Sequence, residues 1–281
     1  MTIILRSVDD VRAWRKGLPT GKKLGFVPTM GALHAGHLSL IELARQRSDI
    51  TIASIFVNPL QFGPSEDLNR YPRPIEKDTA LLQAAGADAL FLPEVADLYP
   101  AGASTFVIEE SVSLPLCGAV RPGHFRGVAT IVLKLFNIVQ PDVAVFGQKD
   151  AQQCAVVERM VRDLNMSIDI VRAPIVREGD GLALSSRNVY LTSEERSAAP
   201  TVYASLQMAK AAFESGERRA DALKAVGQAV LSAKPGFTVI YWEVCNASSL
   251  SMMRTVGPDG ALFVVAACIG SVRLIDNIGV N

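Results

Sequence analysis

Three histidines are all that this chain of 281 residues contains, and each lies in a short glycine-bearing motif. His34 and His37 fall in PTMGALHAGHLSL (28–40), and His124 falls in RPGHFRGVAT (121–130). Near neutral pH histidine can donate a hydrogen bond or carry a positive charge, so a pair of them beside glycines suits a bound phosphate. The alternative is a strand–turn–helix whose histidines only cap or pack. A second candidate is LSSRN (184–188), where Ser185 and Ser186 offer hydroxyls and Arg187 a guanidinium matched to phosphate oxygens. Ser–Ser–Arg is also ordinary loop composition. Lys149 and Asp150 in FGQKD form a third candidate, with a solvated surface pair as the competing explanation.

These motifs need elements to hold them. KLGFVPT (23–29) reads as a buried strand ending near Pro28, and the glycine-bearing turn after it opens a helix at about 37–47. Backbone N–H groups at such a helix start, with the helix dipole, favour an anion. ITIASIFVNP (50–59) and ADALFLPE (87–94) read as further strands, as do 105–110, 142–148 and 167–176. Helices are predicted at 75–86, 128–139 and 151–165. Strand–helix alternation with continuously apolar strands predicts an α/β, Rossmann-like, doubly wound parallel sheet. Ligands in such sheets bind beyond the carboxyl ends of the strands, where PTMG, VNPLQFG and FGQKD all begin.

After residue 176 the pattern changes. A helix starts at Thr192 or Ser193, and Pro200 should split it. A helix at 219–233 and strands at 237–246, 261–269 and 272–278 suggest a smaller α+β domain with an antiparallel sheet. The expected division is a catalytic domain, 1–176, and a C-terminal domain, 177–281, whose linker closes over a ligand.

Twenty-eight basic residues balance 28 acidic ones, which argues against bulk attraction to nucleic acid or anionic membrane. No apolar run approaches the ~20 residues that span a bilayer, and the N-terminal run is too short for a secretory signal. Cys117, Cys154, Cys245 and Cys268 are scattered without a CxxC pair, as expected of reduced thiols in the cytoplasm.

HAGH followed downstream by LSSR resembles the paired phosphate motifs of the nucleotidylyltransferase superfamily. The fuller series PTMGALHAGHLSL, VNPLQFGPSEDLNRYPR (57–73), RPGHFRGVATIV (121–132), FGQKDAQQ (146–153) and LALSSRNVYL (182–191) is much more specific. In that order, and over essentially the whole chain, it resembles the pantoate–β-alanine ligase (pantothenate synthetase) family. The resemblance implies that ATP and pantoate form pantoyl adenylate with release of pyrophosphate, and that the amine of β-alanine then displaces AMP. It places ATP along Met30, Gly31, Ala32, Leu33, His34, Ala35, Gly36 and His37. Further ATP contacts are implied at Gly147, Gln148, Lys149 and Asp150, at Val176, and at Leu184, Ser185, Ser186 and Arg187. His34, His37 and Lys149 are the implied catalytic groups. Gln61 and Gln153 would hold pantoate, Gln61 would also meet β-alanine, and Met30 would touch the gem-dimethyl group. Arg121 and His124 look like the segment flanking the pantoate and β-alanine end.

Gln148, Leu184 and Ala35 stand where the family commonly has glutamate, methionine and glutamate, changes that leave the proposed donors intact. ATP is implied as a co-substrate with Mg²⁺ and no tightly bound organic cofactor. Asp78 is considered as an acidic partner of the metal, although its helix explains it equally well, and no protein ligand is assigned. A homodimer is expected from the resemblance and from the prevalence of symmetric oligomers. A transferase joining a nucleotide to a phosphate-bearing acceptor would need a second cationic pocket, which the glutamine pair and apolar segments suit less well. A non-catalytic nucleotide sensor would be expected to lack donors at the α-phosphate, yet His34, His37, Lys149 and Arg187 are all present.

Overall fold

The alternation of the first 176 residues builds a single six-stranded sheet. The computed structural model describes residues 2–64 and 66–281. Its strands are β1 (Ile3–Leu5), β2 (Leu24–Thr29), β3 (Ile50–Ile55), β4 (Ala89–Phe91), β5 (Val143–Gly147) and β6 (Asp169–Ala173). They lie in the order β1-β4-β3-β2-β5-β6, with every pairing parallel. The accompanying helices are α1 (Val8–Lys16), α2 (Ala35–Arg47), α3 (Ile75–Ala84), α4 (Val95–Leu98), α5 (Cys117–Val120), α6 (His124–Val139) and α7 (Ala151–Asp163).

Successive strand residues point to opposite faces. Phe26, Ile52 and Ala144 therefore join a core with α6 and α7, while Val27, Ala53 and Val145 join one with α2 and α3. Burial on both faces is why the strands read as unbroken apolar runs. From β2 the chain winds outward through β3 and β4, then returns to β2's other side for β5 and β6. The β2–β5 junction is thus the topological switch point, where a crevice opens at the strands' carboxyl ends.

Two local expectations change. Residues 105–110 form no strand; Phe106 and Ile108 are exposed, and Val107 N–H is spent on the Thr130 hydroxyl (2.9 Å) instead of a strand neighbour. Conversely, β1 is a strand that periodicity does not reveal, because only three residues pair with β4.

The remainder forms α8 (Ser193–Ala198), α9 (Thr201–Glu214), α10 (Ala220–Ser232) and an antiparallel sheet of β7 (Phe237–Cys245), β8 (Ala261–Ile269) and β9 (Val272–Val280). Thr192 caps α8 reciprocally with Glu195, and Pro200 separates α8 from α9 as expected. Phe263 and Val265 of β8 pack with α9 and α10, whereas Leu262 and Val264 join the core of the large sheet. The small sheet is therefore sandwiched between its own helices and the first layer. Asn277 fixes that contact by donating to the carbonyls of Gln148 and Lys149 (2.9 and 3.1 Å), while Arg177 ties the segment after β6 to β9 through a bidentate pair with Asp276 (2.6 and 2.9 Å).

Candidate active site

Immediately after β2 the backbone turns left-handed twice, at Gly31 (φ 81°) and Ala32 (φ 51°). Gly31 is also crowded: a Cβ there would sit 3.0 Å from side-chain atoms of Asp78 and Ile55, and its positive φ favours glycine. Asp78, fully buried on α3, accepts the N–H groups of Ala32 (2.7 Å) and Leu33 (2.8 Å) through its two carboxylate oxygens. Burial raises its pKa, opposed by those two hydrogen bonds. Fully buried and accepting from the turn through both oxygens, this carboxylate holds the loop's backbone.

The histidines both cap and aim. His34 is the N-cap of α2 and its Nδ1 accepts from Gly36 N–H (3.2 Å); His37 Nδ1 accepts from His34 N–H (3.3 Å). Accepting at Nδ1 places the proton of each neutral ring on Nε2, leaving an N–H donor there. The rings lie 4.1 Å apart, centroid to centroid. Burial, then the positive charge of Lys149, pushes the His34 pKa down to about 4. His37 is pushed down to about 3 by burial, then by His34 and Lys149. Both are neutral donors at physiological pH, so the fixed positive charge here is carried by lysine and arginine.

The 184–188 segment crosses over this turn. Ser186 Oγ donates to Ala32 C=O (3.0 Å), joining the two phosphate motifs across 154 residues of sequence. Leu184 N–H bonds Val176 C=O (3.0 Å), which brings both residues to the site. A cavity of about 230 Å³ results, lined by Met30, His34, Gly36 and His37 from the turn, Gly147, Lys149 and Asp150 beyond β5, and Val176 and Leu184 through Arg187. Its far end is lined by Gln61, Gln153, His124 and the apolar side chains Phe56, Val128 and Val132.

Gln61 is buried on a single turn of 3₁₀ helix, Pro59–Gln61. Its Oε1 accepts from Asn58 Nδ2 (3.1 Å), and Asn58 is held in turn by the Tyr99 hydroxyl (2.9 Å). Its Nε2 lies 2.8 Å from Met30 Sδ. Gly127 of α6 lets this turn sit close, since a Cβ there would come within 2.4 Å of Leu60 O and 2.7 Å of Gln61 N. His124 Nδ1 bonds Gln61 C=O (2.7 Å) and Arg121 reaches the same carbonyl (3.2 Å). Burial, then the charge of Arg121, pushes the His124 pKa down to about 4.

A second cavity, about 280 Å³, shares Arg121, His124, Lys149, Asp150, Gln153 and Arg187 with the first and extends to Tyr241 and Arg273 of the small sheet. Three of its cations already have carboxylate partners: Arg121 pairs with Glu66 (2.6 and 2.5 Å), Arg187 with Asp67 (2.9 Å at both contacts) and Lys149, more loosely, with Asp150 (3.9 Å).

Among the residues expected from the sequence, Gly31, Ala32, Leu33 and Ala35 build the turn without lining either large cavity. Gln148 also lies outside both; its side chain bonds Asn277 (3.1 Å) and Arg172 (3.4 Å), so it ties the small sheet to β6. Asp67, Glu66 and Asn58 escaped sequence reasoning, because Arg187, Arg121 and Tyr99, which they meet, lie far along the chain, and Arg273 because it reaches the site only from the small sheet. Among the described residues, no group of three or more His, Cys, Asp or Glu is arranged to hold a metal.

A family model described as pantoate-beta-alanine ligase matches residues 3–279. The pantothenate synthetase of Chloroflexus aggregans is 52% identical over 273 residues, covering 97% of this chain and 99% of that protein. The crystal structure of pantothenate synthetase from Thermus thermophilus superposes with a TM-score of 0.93 at 46% identity, covering 99% of each chain. The Francisella tularensis pantoate-beta-alanine ligase, complexed with beta-gamma ATP and beta-alanine, superposes with a TM-score of 0.84 at 34% identity, over 99% of this chain and 98% of that one. Full-length similarity of this order, together with the two joined phosphate motifs, makes the chain a member of the pantoate–β-alanine ligase family.

Proposed function

We propose that the chain joins pantoate to β-alanine at the expense of ATP, with the residues assembled around the 230 Å³ cavity performing the first step. The observation that carries this reading is the convergence of the 30–37 turn and the 184–187 loop on a cavity whose other end holds Gln61 and Gln153. A nucleotide fits the donor-rich end. A small hydroxy acid with methyl groups fits the end where glutamine amides meet Met30, Phe56 and Val132.

The carboxylate of pantoate attacks the α-phosphorus of ATP, forming the acyl–phosphate bond as the bond to pyrophosphate breaks. Negative charge on the phosphoryl oxygens and the departing pyrophosphate requires fixed donors. His34 and His37 supply Nε2–H groups preset by the α2 cap, and Lys149, Ser185 and Arg187 supply charge and hydroxyl. In the second step the amine of β-alanine attacks the activated carbonyl, and AMP leaves with the bonding pair. Gln61 and Gln153 keep that carbonyl oriented, and Gln61 also faces the incoming amine. Mg²⁺ would arrive on the ATP phosphates, held mainly by their oxygens and water; Asp150, half-exposed beside Lys149, is the carboxylate placed to assist. We further propose a cytoplasmic homodimer in which residues 177–281 move as a unit over ATP.

The test is isotope exchange between pyrophosphate and ATP with pantoate present and β-alanine absent. Pantoate-dependent exchange is expected. Its absence, combined with no AMP formation when β-alanine is added, would refute the proposed reaction.

A further inference from the structure

Gln61 offers the cavity a polarity that it does not set for itself. A glutamine amide can present either its oxygen or its nitrogen to a ligand, since the two ends are nearly the same size. Here Asn58 decides between them. Asn58 is buried, at 1% exposure, and its own orientation is fixed by the backbone. Its Oδ1 accepts from Leu60 N–H (3.3 Å), which can only donate, and its Nδ2 donates to Gly127 C=O (3.1 Å), which can only accept. The same Nδ2 meets Gln61 Oε1 (3.1 Å), so the Gln61 oxygen is turned toward Asn58 and Nε2 is left for the cavity. Among the described residues that Nε2 reaches only the thioether of Met30 (2.8 Å), a weak acceptor. A buried N–H so poorly satisfied favours a ligand that brings an oxygen acceptor to it.

The least secure link in this relay is Asn58 Oδ1, because its bond from Leu60 is long. Tyr99 supplies the shorter contact: at the C-terminal end of α4, 41 residues away, its hydroxyl donates to Oδ1 at 2.9 Å. Burial raises the Tyr99 pKa, so that proton stays in place near neutral pH. The ring packs on Phe56, 6.2 Å between centroids, and Lys134 lies over it at 5.7 Å. Tyr99 itself lines neither large cavity, whereas Asn58 and Gln61 line the first. We infer that Tyr99 is a positioning residue for the acid substrate. Acting through Asn58, its hydroxyl holds the Gln61 amide with the nitrogen toward the cavity, and so selects an acceptor oxygen at that point. This assignment rests on the proposed binding of pantoate at Gln61.

The test measures pantoate-dependent exchange of pyrophosphate into ATP for the wild type, Tyr99→Phe, Gln61→Ala and the double variant. Tyr99→Phe keeps the ring against Phe56 and Lys134 and removes only the donor. It should raise the KM for pantoate about three- to tenfold, the loss expected of one buried hydrogen bond, with the KM for ATP held within about twofold. Because Tyr99 acts through Gln61, adding Tyr99→Phe to Gln61→Ala should change the pantoate KM by less than about twofold. An unchanged pantoate KM in Tyr99→Phe would overturn the inference. So would the same factor in both backgrounds, or equal rises in the KM for pantoate and for ATP, since either result gives Tyr99 a merely structural role. Wild-type protein lacking pantoate-dependent exchange, or Gln61→Ala with an unaltered pantoate KM, would instead overturn the reading on which the assignment rests.

Discussion

Replacing Asp78 with asparagine tests whether a buried carboxylate on α3 shapes the phosphate loop. Asp78 satisfies two backbone N–H groups, of Ala32 and Leu33, and holds Ala32 in a left-handed conformation. For a residue with a Cβ that conformation costs about 1–2 kcal/mol. Asparagine has the same size but only one acceptor oxygen, and its amide would oppose the other N–H donor to donor. One buried N–H without an acceptor costs about 1–3 kcal/mol. At 1.4 kcal/mol per tenfold, the ordered turn should lose roughly 5- to 150-fold in population relative to disordered alternatives. Pantoate-dependent pyrophosphate exchange should therefore slow by about tenfold or more with the KM for ATP raised, and urea unfolding should report a loss near that 1–3 kcal/mol. Adding Ala32→Gly removes the left-handed penalty and should restore several-fold of the lost rate. The Mg²⁺ titration should not move, because Asp78 is fully buried beneath the turn and lines neither large cavity. Normal exchange in Asp78→Asn, or a shifted Mg²⁺ requirement without rescue by Ala32→Gly, would refute the reasoning.

His37→Ala removes one preorganised donor and should slow adenylation by ~10²-fold in a folded protein; near-normal turnover would remove His37 from that role. Gln61→Ala should raise the requirement for pantoate much more than that for ATP, and equal changes in the two KM values would make Gln61 merely structural. Gly127→Ala drives a Cβ into the backbone of Leu60 and Gln61. It should reproduce the pantoate defect without touching substrate, whereas unaltered pantoate kinetics would show that the 3₁₀ turn adapts freely. The histidines also make stability depend on pH. In the folded chain their pKa values fall to about 3 or 4, below about 6.5 when unfolded, so the unfolded state binds more protons in between. Their contribution is complete above pH 6.5 and is lost as pH falls toward 4, at up to roughly 1.4 kcal/mol per pH unit for each histidine. Urea unfolding at pH 7 and pH 5 checks this, and equal stability at both would mean the histidines titrate normally.

Much of the positioning was legible along the chain because it depends on local periodicity and turn chemistry. Unbroken apolar runs predicted the parallel sheet, and Thr192 and Pro200 marked where α8 begins and ends. The HxGH turn announced phosphate chemistry through glycines and helix-start donors only a few residues apart. The capping alternative holds, and the same cap orients the free nitrogens that the proposed reaction uses. Gln61 and Gln153 carried no signal of their own, and only the resemblance of the whole motif series singled them out. The strand expected at 105–110 failed because β propensity cannot reveal whether a neighbour exists to pair with. What the tertiary structure alone decided are contacts between distant segments: Asp78 under the turn, Ser186 over it, Asp67 on Arg187, and Arg273 at the end of a second cavity. No repeat of 2 or 3.6 residues encodes such meetings. They follow from the order in which strands join the sheet and from how the small sheet settles on it, and that is where the second half of the site is made.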